Sequence, residues 1–182
     1  MDEKILKDKK IVMVIAFQDF RDEECFIPRS IFLGEGADVK IASKSKGKAV
    51  GSYGGVLDVD MLIDQIDVSK FDAIVFVGGA GAVKYIDDDS CHYVANKAVE
   101  KNRLLGAICI APAILARAGV LKGKKATVWS SSLDKSAIKI LKEEEAEYQP
   151  EDVVIDGNII TANGPLSARK FGQAIVQKLA NI

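Results

Sequence analysis

Short apolar runs alternate with segments of helical periodicity along the chain. "KIVMVIA" (10–16), "DVKIAS" (38–43), "DAIVFVGG" (72–79), "RLLGAICI" (103–110) and "KATVW" (125–129) each read as a buried strand. Strands covered on both faces are continuously apolar rather than alternating. Between them, "EECFIPRSIFLGEG" predicts a helix closed by Gly34 or Gly36, and "DDDSCHYVANKAVEKN" one opened by Asp89 or Ser90 as N-cap. "SAIKILKEEEAEY" is amphipathic, and "SARKFGQAIVQKLANI" predicts a closing helix. Two segments break the alternation: "GKAVGSYGGVLDVD" reads as a hairpin around Tyr53-Gly54-Gly55, and "DVVIDGNIITAN" as another turning at Asp156-Gly157-Asn158. Strand and helix in alternation predict an α/β fold with a mostly parallel sheet covered on both faces.

A length of 182 residues with 48% hydrophobic content suits one domain, 1–182, around a single core. Twenty-five basic against 26 acidic side chains give a net charge of -1, leaving no surplus to hold a nucleic-acid backbone. The apolar runs fall short of the roughly 20 residues needed to span a bilayer, so no membrane partner is expected. "MDEKILKDKK" carries no apolar signal core, which makes the cytoplasm the expected location. Cys25, Cys91 and Cys109 show neither close pairing nor C-x-x-C spacing, so free thiols are expected rather than a disulfide or a zinc site.

The run "LLGAICIAPAILARAG" (104–119) passes from strand to helix with no polar loop, and Cys109 stands at the join. A turn that sharp needs small residues two positions before and after its apex, and Ala107 and Ala111 occupy them. Pro112 suits the first helical turn and Gly119 the C-terminal cap. Such a placement sets the sulfur at a helix N-terminus, which is expected to favour the thiolate and lower its pKa. On residue type alone Cys109 would be a packed core cysteine; the elbow pattern favours a nucleophile. Carbonyl chemistry there also needs donors for an oxyanion: the Ile110 N–H adjoins the sulfur, and the Gly79 N–H ends the neighbouring strand. Gly78-Gly79 alone would only permit a tight turn. "GGAGAV" lacks a well-placed downstream acid, so it does not make a dinucleotide fingerprint.

The elbow "AICIAPAILARAGVLKGKKAT", together with "FDAIVFVGGAGA", "EECFIP" and "GNIITANGP", resembles the ThiJ/PfpI superfamily along nearly the whole chain. The resemblance implies a flavodoxin-like three-layer sandwich with Cys109 as elbow nucleophile, Gly79 and Ile110 as oxyanion donors, and Glu24 as the carboxyl group on the sulfur. Gly78, Trp129 and Pro165 are pocket candidates, although Trp129 could equally fill core space. The residues alone do not separate Glu24 from Asp19, Asp22 or Glu23, all of which suit a helix start. Burial beside a thiolate would raise the pKa of Glu24 and keep it protonated, able to donate to the sulfur and to shuttle a proton.

Two departures bear on substrate. Peptidase-like members carry a histidine directly after the cysteine, where this chain has Ile110. Deglycase-like members often carry one after the following strand, where "ATVWSSS" offers Trp129. The single histidine, His92, is expected away from the elbow. Asp87-Asp88-Asp89 beside it reads as a solvated capping run rather than a metal site, and no metal or cofactor is expected. The expected activity is glyoxalase- or deglycase-like chemistry on a small aldehyde or glycated group. The alternatives are an intracellular cysteine peptidase and a non-catalytic redox sensor or chaperone. The resemblance further implies a homodimer or larger assembly, with Cys25 and the Tyr53 hairpin as interface elements; Cys25 could equally be a packed helix residue.

Overall fold

The computed structural model describes residues 4–181. In chain order the elements are β1 (Lys10–Val14), β2 (Gln18–Phe20), α1 (Asp22–Gly34), β3 (Asp38–Ser43), β4 (Gly47–Gly51), β5 (Val56–Val59), β6 (Met61–Leu62) and β7 (Ala73–Phe76). There follow α2 (Asp89–Glu100), β8 (Leu104–Ile108), α3 (Pro112–Arg117), β9 (Lys125–Ala126), α4 (Ser136–Glu143), β10 (Glu147–Tyr148), β11 (Val153–Asp156), β12 (Ile159–Ala162) and α5 (Ala168–Ala180).

Seven strands form the central sheet in the order β11-β12-β8-β7-β1-β3-β6. All neighbours are parallel except the hairpin pair β11 and β12. Every residue of β7, β8 and β12 is buried, as is β1 beyond Lys10, which is why these strands read as unbroken apolar runs. From β1 the chain crosses to β3 on one side, and from β7 to β8 on the other. Right-handed crossovers therefore set α1 and α2 on opposite faces. α5 returns to pack on α1, where a Cβ on Gly172 would lie 3.1 Å from Pro28 Cα. The reversal of winding between β1 and β7 is the switch point at which α/β sheets open a crevice beyond their carboxyl ends.

The α/β class, the parallel sheet and both hairpins match expectation. A smaller sheet was not foreseen: β4 pairs antiparallel with β5 and parallel with β2, fastening the Tyr53 hairpin beside the start of α1. The "KATVW" run corrects the sequence reading. Only Lys125–Ala126 is strand, and it pairs with β10 in a separate two-stranded sheet. The edge of β8 is already filled by β12. Residues 127–129 instead cross the sheet's end, with the Thr127 N–H donating to Thr161 Oγ1 at 2.9 Å and the Trp129 N–H to the Cys109 carbonyl at 2.8 Å. The N-cap of α2 is Asp88, whose carboxylate accepts from the Cys91 N–H at 3.0 Å, not Asp89 or Ser90. Among the described residues no helix is long and apolar enough to cross a membrane.

Candidate active site

Three strand ends converge at the switch point. β8 stops at Ile108, and Cys109 takes φ +64°, a left-handed conformation that a non-glycine residue adopts only under local constraint. The constraint is visible on both sides of the residue: its N–H donates to the Ala162 carbonyl at 2.9 Å, and its carbonyl accepts from Trp129. Ala107 and Ala111 are fully buried around the turn. Pro112 opens α3, and Gly119 follows its end with φ +82°.

β7 leads into Gly78-Gly79. A Cβ on Gly78 would stand 2.5 Å from Glu24 Oε2 and 2.6 Å from Cys109 Cβ, so the absence of a side chain is what lets carboxyl and thiol meet. Gly79 takes φ +112°, and its N–H and that of Ile110 are the backbone groups that favour the Cys109 thiolate. The junction of β2 and α1 is tied to the same place by the Arg21 N–H, which donates to the Gly78 carbonyl at 3.0 Å.

The three acids near Glu24 have other engagements. Asp22 accepts from the N–H groups of Tyr53 (2.8 Å) and Gly55 (2.7 Å), locking the hairpin to α1. Glu23 pairs with the Arg21 guanidinium through bonds of 2.8 and 3.2 Å. Asp19 lies within β2 at φ +61°, where the strand's register against β4 shifts. Glu24 is fully buried in the first turn of α1. Neither of its oxygens has a hydrogen-bond partner among the described residues, while the Cys109 thiol, the Arg21 charge and the Gly78 N–H favour its ionised form. Burial of an ungratified carboxylate outweighs those groups and the Arg21 charge, so its pKa is pushed up to about 7.

The thiol corrects the sequence reading. Burial, then the negative charge of Glu24, pushes the Cys109 pKa upward, while the Gly79 and Ile110 N–H groups pull it down. The helix end contributes less than expected because its amides are spent: Ala111 donates to Ile108, Pro112 has no N–H, and Ala113 donates to Ile110. Only Ile110 is left to face the sulfur. Repulsion by Glu24 exists only when that carboxyl is ionised. The buried pair therefore holds one negative charge far more readily than two.

Cys109, Glu24, Gly79, Ile110, Trp129 and Pro165 all line one cavity of about 610 Å³. Trp129 thus walls the pocket. Gly78 does not line it and lies behind the pair, wedged between them. Cys25 and Cys91 are fully buried elsewhere in the core, and burial raises the pKa of each, that of Cys25 to about 12. His92 is outside the lining, with Nε2 at 2.7 Å from the Ile86 carbonyl. Asp88 caps α2 and pairs with Lys44, while Asp87 faces Arg117 at 3.6 Å. Among the described residues no group of three or more His, Cys, Asp or Glu side chains is placed to hold a metal. Sequence reasoning missed Arg21 and Asp134, the other charged residues of the lining. Arg21 could have been suspected from its position directly before three acids.

A mostly parallel α/β sandwich with a left-handed strand-cysteine-helix turn and a buried carboxyl beside the cysteine defines an α/β protein with a cysteine elbow at the carboxyl edge of its sheet. Residues 9–178 match the DJ-1/PfpI family, to which the chain belongs. An uncharacterized protein of Methanocaldococcus jannaschii is 41% identical over 175 residues, spanning 96% of this chain and 84% of the relative. A protein named a deglycase, from Thermococcus kodakarensis, is 32% identical over 154 residues, spanning 85% and 90%. The crystal structure of a ThiJ/PfpI domain protein from Brachyspira murdochii superposes with a TM-score of 0.90 at 34% identity, covering 97% of this chain and 99% of that one.

Proposed function

We propose that the protein is a cysteine-dependent enzyme of glyoxalase or deglycase type acting on reactive aldehydes or the glycated groups they form. The carrying observation is the placement of Glu24, fully buried and with a raised pKa, against the elbow thiol of Cys109. The deglycase name of relatives near 30% identity supports the same reading.

Transfer of the Cys109 proton to Glu24, or to solvent, leaves a thiolate that adds to the aldehyde carbon of an α-oxoaldehyde. The carbonyl π pair moves to oxygen beside the Gly79 and Ile110 N–H groups, and Glu24 returns a proton to give a neutral hemithioacetal. Glu24 then removes the C1 proton and delivers it to C2 through an enediol. C1 rises to the acid level while C2 falls to an alcohol, so no external oxidant is needed. Water cleaves the resulting thioester, releasing a 2-hydroxy acid and the thiol. Each step uses one acid/base group and no histidine.

Peptide hydrolysis is less well served, since it must protonate an amine leaving group and Ile110 supplies no acid where peptidase-like members carry histidine. The test is lactate formation from methylglyoxal. Wild-type protein is expected to turn over, and Cys109→Ser to lose at least 100-fold in kcat/KM. Wild-type protein that forms no lactate but takes up one peroxide oxidation at Cys109 would favour the redox-sensor reading.

A further inference from the structure

Arg21 occupies the N-cap position of α1 and lines the cavity together with Cys109 and Glu24. Its orientation is fixed in three ways. The backbone N–H is anchored on Gly78, the guanidinium stacks 4.7 Å from the Tyr53 ring centroid, and Nε and Nη2 bond Glu23. Tyr53 is itself held by the Asp22 carboxylate on its N–H. Glu23 does not line the cavity and faces solvent, with 41% of its side chain exposed. A guanidinium carries more donors than one carboxylate can occupy, and among the described residues Nη1 has no partner. Arg21 lines the cavity and its charge acts on Glu24, so Glu23 and Tyr53 hold the planar cation beside the site with donor capacity unused. The other charged residue of the wall besides Glu24 is Asp134, whose Oδ1 is taken by the Ser136 N–H (2.9 Å) and hydroxyl (2.6 Å).

We propose that Arg21 is a specificity-determining residue that binds a substrate carboxylate, so that the preferred substrates are short α-oxoaldehydes carrying a carboxylate rather than neutral ones. A pre-oriented guanidinium suits that role because carboxylate recognition by arginine is planar and directional. The aldehyde half of this statement rests on the function proposed above; the anion half does not, and can be read separately.

Iodoacetate and iodoacetamide provide that reading. Both alkylate a thiolate with loss of iodide and differ in bearing a carboxylate or a neutral amide. The ratio of their rates cancels any change in thiol ionisation that loss of the Arg21 charge causes. Adducts at Cys109 are assigned by peptide mass mapping. The iodoacetate to iodoacetamide ratio at Cys109 is expected to exceed that of free cysteine at least 10-fold. Arg21→Gln should lower it at least 5-fold, and Arg21→Lys should restore part of it. In turnover, 4,5-dioxopentanoate should surpass methylglyoxal in kcat/KM, with that preference lost in Arg21→Gln.

A wild-type ratio no higher than free cysteine, or one unchanged in Arg21→Gln, overturns the anion site. Retained iodoacetate preference with neither aldehyde turned over removes the enzyme reading and leaves the anion site standing. Methylglyoxal turnover without iodoacetate preference does the reverse. A Cys109 that reacts with neither reagent in the folded protein removes both.

Discussion

Gly78 separates Glu24 from Cys109 by the width of a missing side chain: a Cβ there would lie 2.5 Å from the carboxyl oxygen and 2.6 Å from the cysteine Cβ. The position takes no unusual backbone angle, so its need for glycine is steric. Gly78→Ala must displace either the start of α1 or the elbow. Overpacking of this kind costs about 1–3 kcal/mol, and the carboxyl group loses its place against the thiol. The expected result is a folded protein of lowered melting temperature whose Cys109 alkylation rate changes at least 10-fold, measured beside Cys109→Ser. A variant with wild-type stability and wild-type thiol reactivity would show that the close approach is not required.

The raised pKa of Glu24 makes stability depend on pH in a defined direction. Below about pH 4.5 the carboxyl is protonated in both folded and unfolded chains, and its burial as a neutral acid is fully supported. As pH rises toward 7 the unfolded chain releases the proton while the folded one retains it, so folded stability falls. With a folded pKa of about 7 against 4.5, the loss is at most about 3 kcal/mol at 1.36 kcal/mol per unit. Glu24→Gln carries no such proton. Urea unfolding of both proteins from pH 4 to 8 should therefore show the variant gaining on the wild type through that window and not beyond it. Parallel curves across the whole range would mean that Glu24 is ionised in the folded state.

Which parts of this were readable in the chain follows from the range of the forces involved. The runs at 10–16, 72–79 and 103–110 were legible because burial on both faces writes itself into nearly every residue of the strand, and the run at 38–43, with Asp38 exposed and Lys40 half-buried, through its buried last three residues. The elbow was legible because the small residues, Pro112 and Gly119 lie within a few positions of Cys109. The run at 125–129 was misread because its partner depends on whether β12 already covers β8, a matter settled more than 30 residues away. Arg21 was overlooked for a similar reason: its orientation depends on Tyr53, held by Asp22 across 31 positions. The thiol was read in the wrong direction because burial and the fate of each helix amide are properties of packing.

The other two thiols supply an internal control. Burial raises the pKa of all three thiols, so access separates them: Cys25 and Cys91 are fully buried, whereas Cys109 is only partly so and lines the cavity. Iodoacetamide at pH 8 should modify Cys109 alone in the native protein and all three thiols in 6 M guanidinium chloride. Labelling of Cys25 or Cys91 without denaturant would indicate local opening of α1 or α2.

The left-handed backbone at Cys109 predicts an inversion of the usual order between alanine and glycine. Elsewhere in a well-packed segment glycine costs about 0.5–1 kcal/mol relative to alanine, through the entropy of the unfolded chain. At φ +64° an alanine Cβ pays the left-handed penalty of roughly 1–2 kcal/mol, and glycine avoids it. Both variants remove the thiol, and they differ by one methyl group, whose packing favours alanine by less than the strain when the site opens on the cavity. Cys109→Gly should therefore equal or exceed Cys109→Ala in unfolding free energy, with the wild-type residue held in its posture by the bonds to Ala162 and Trp129. An alanine variant clearly the more stable of the two would mean that the elbow relaxes out of the left-handed region once the sulfur is gone, and that the turn is kept in its strained form by the thiol's own surroundings.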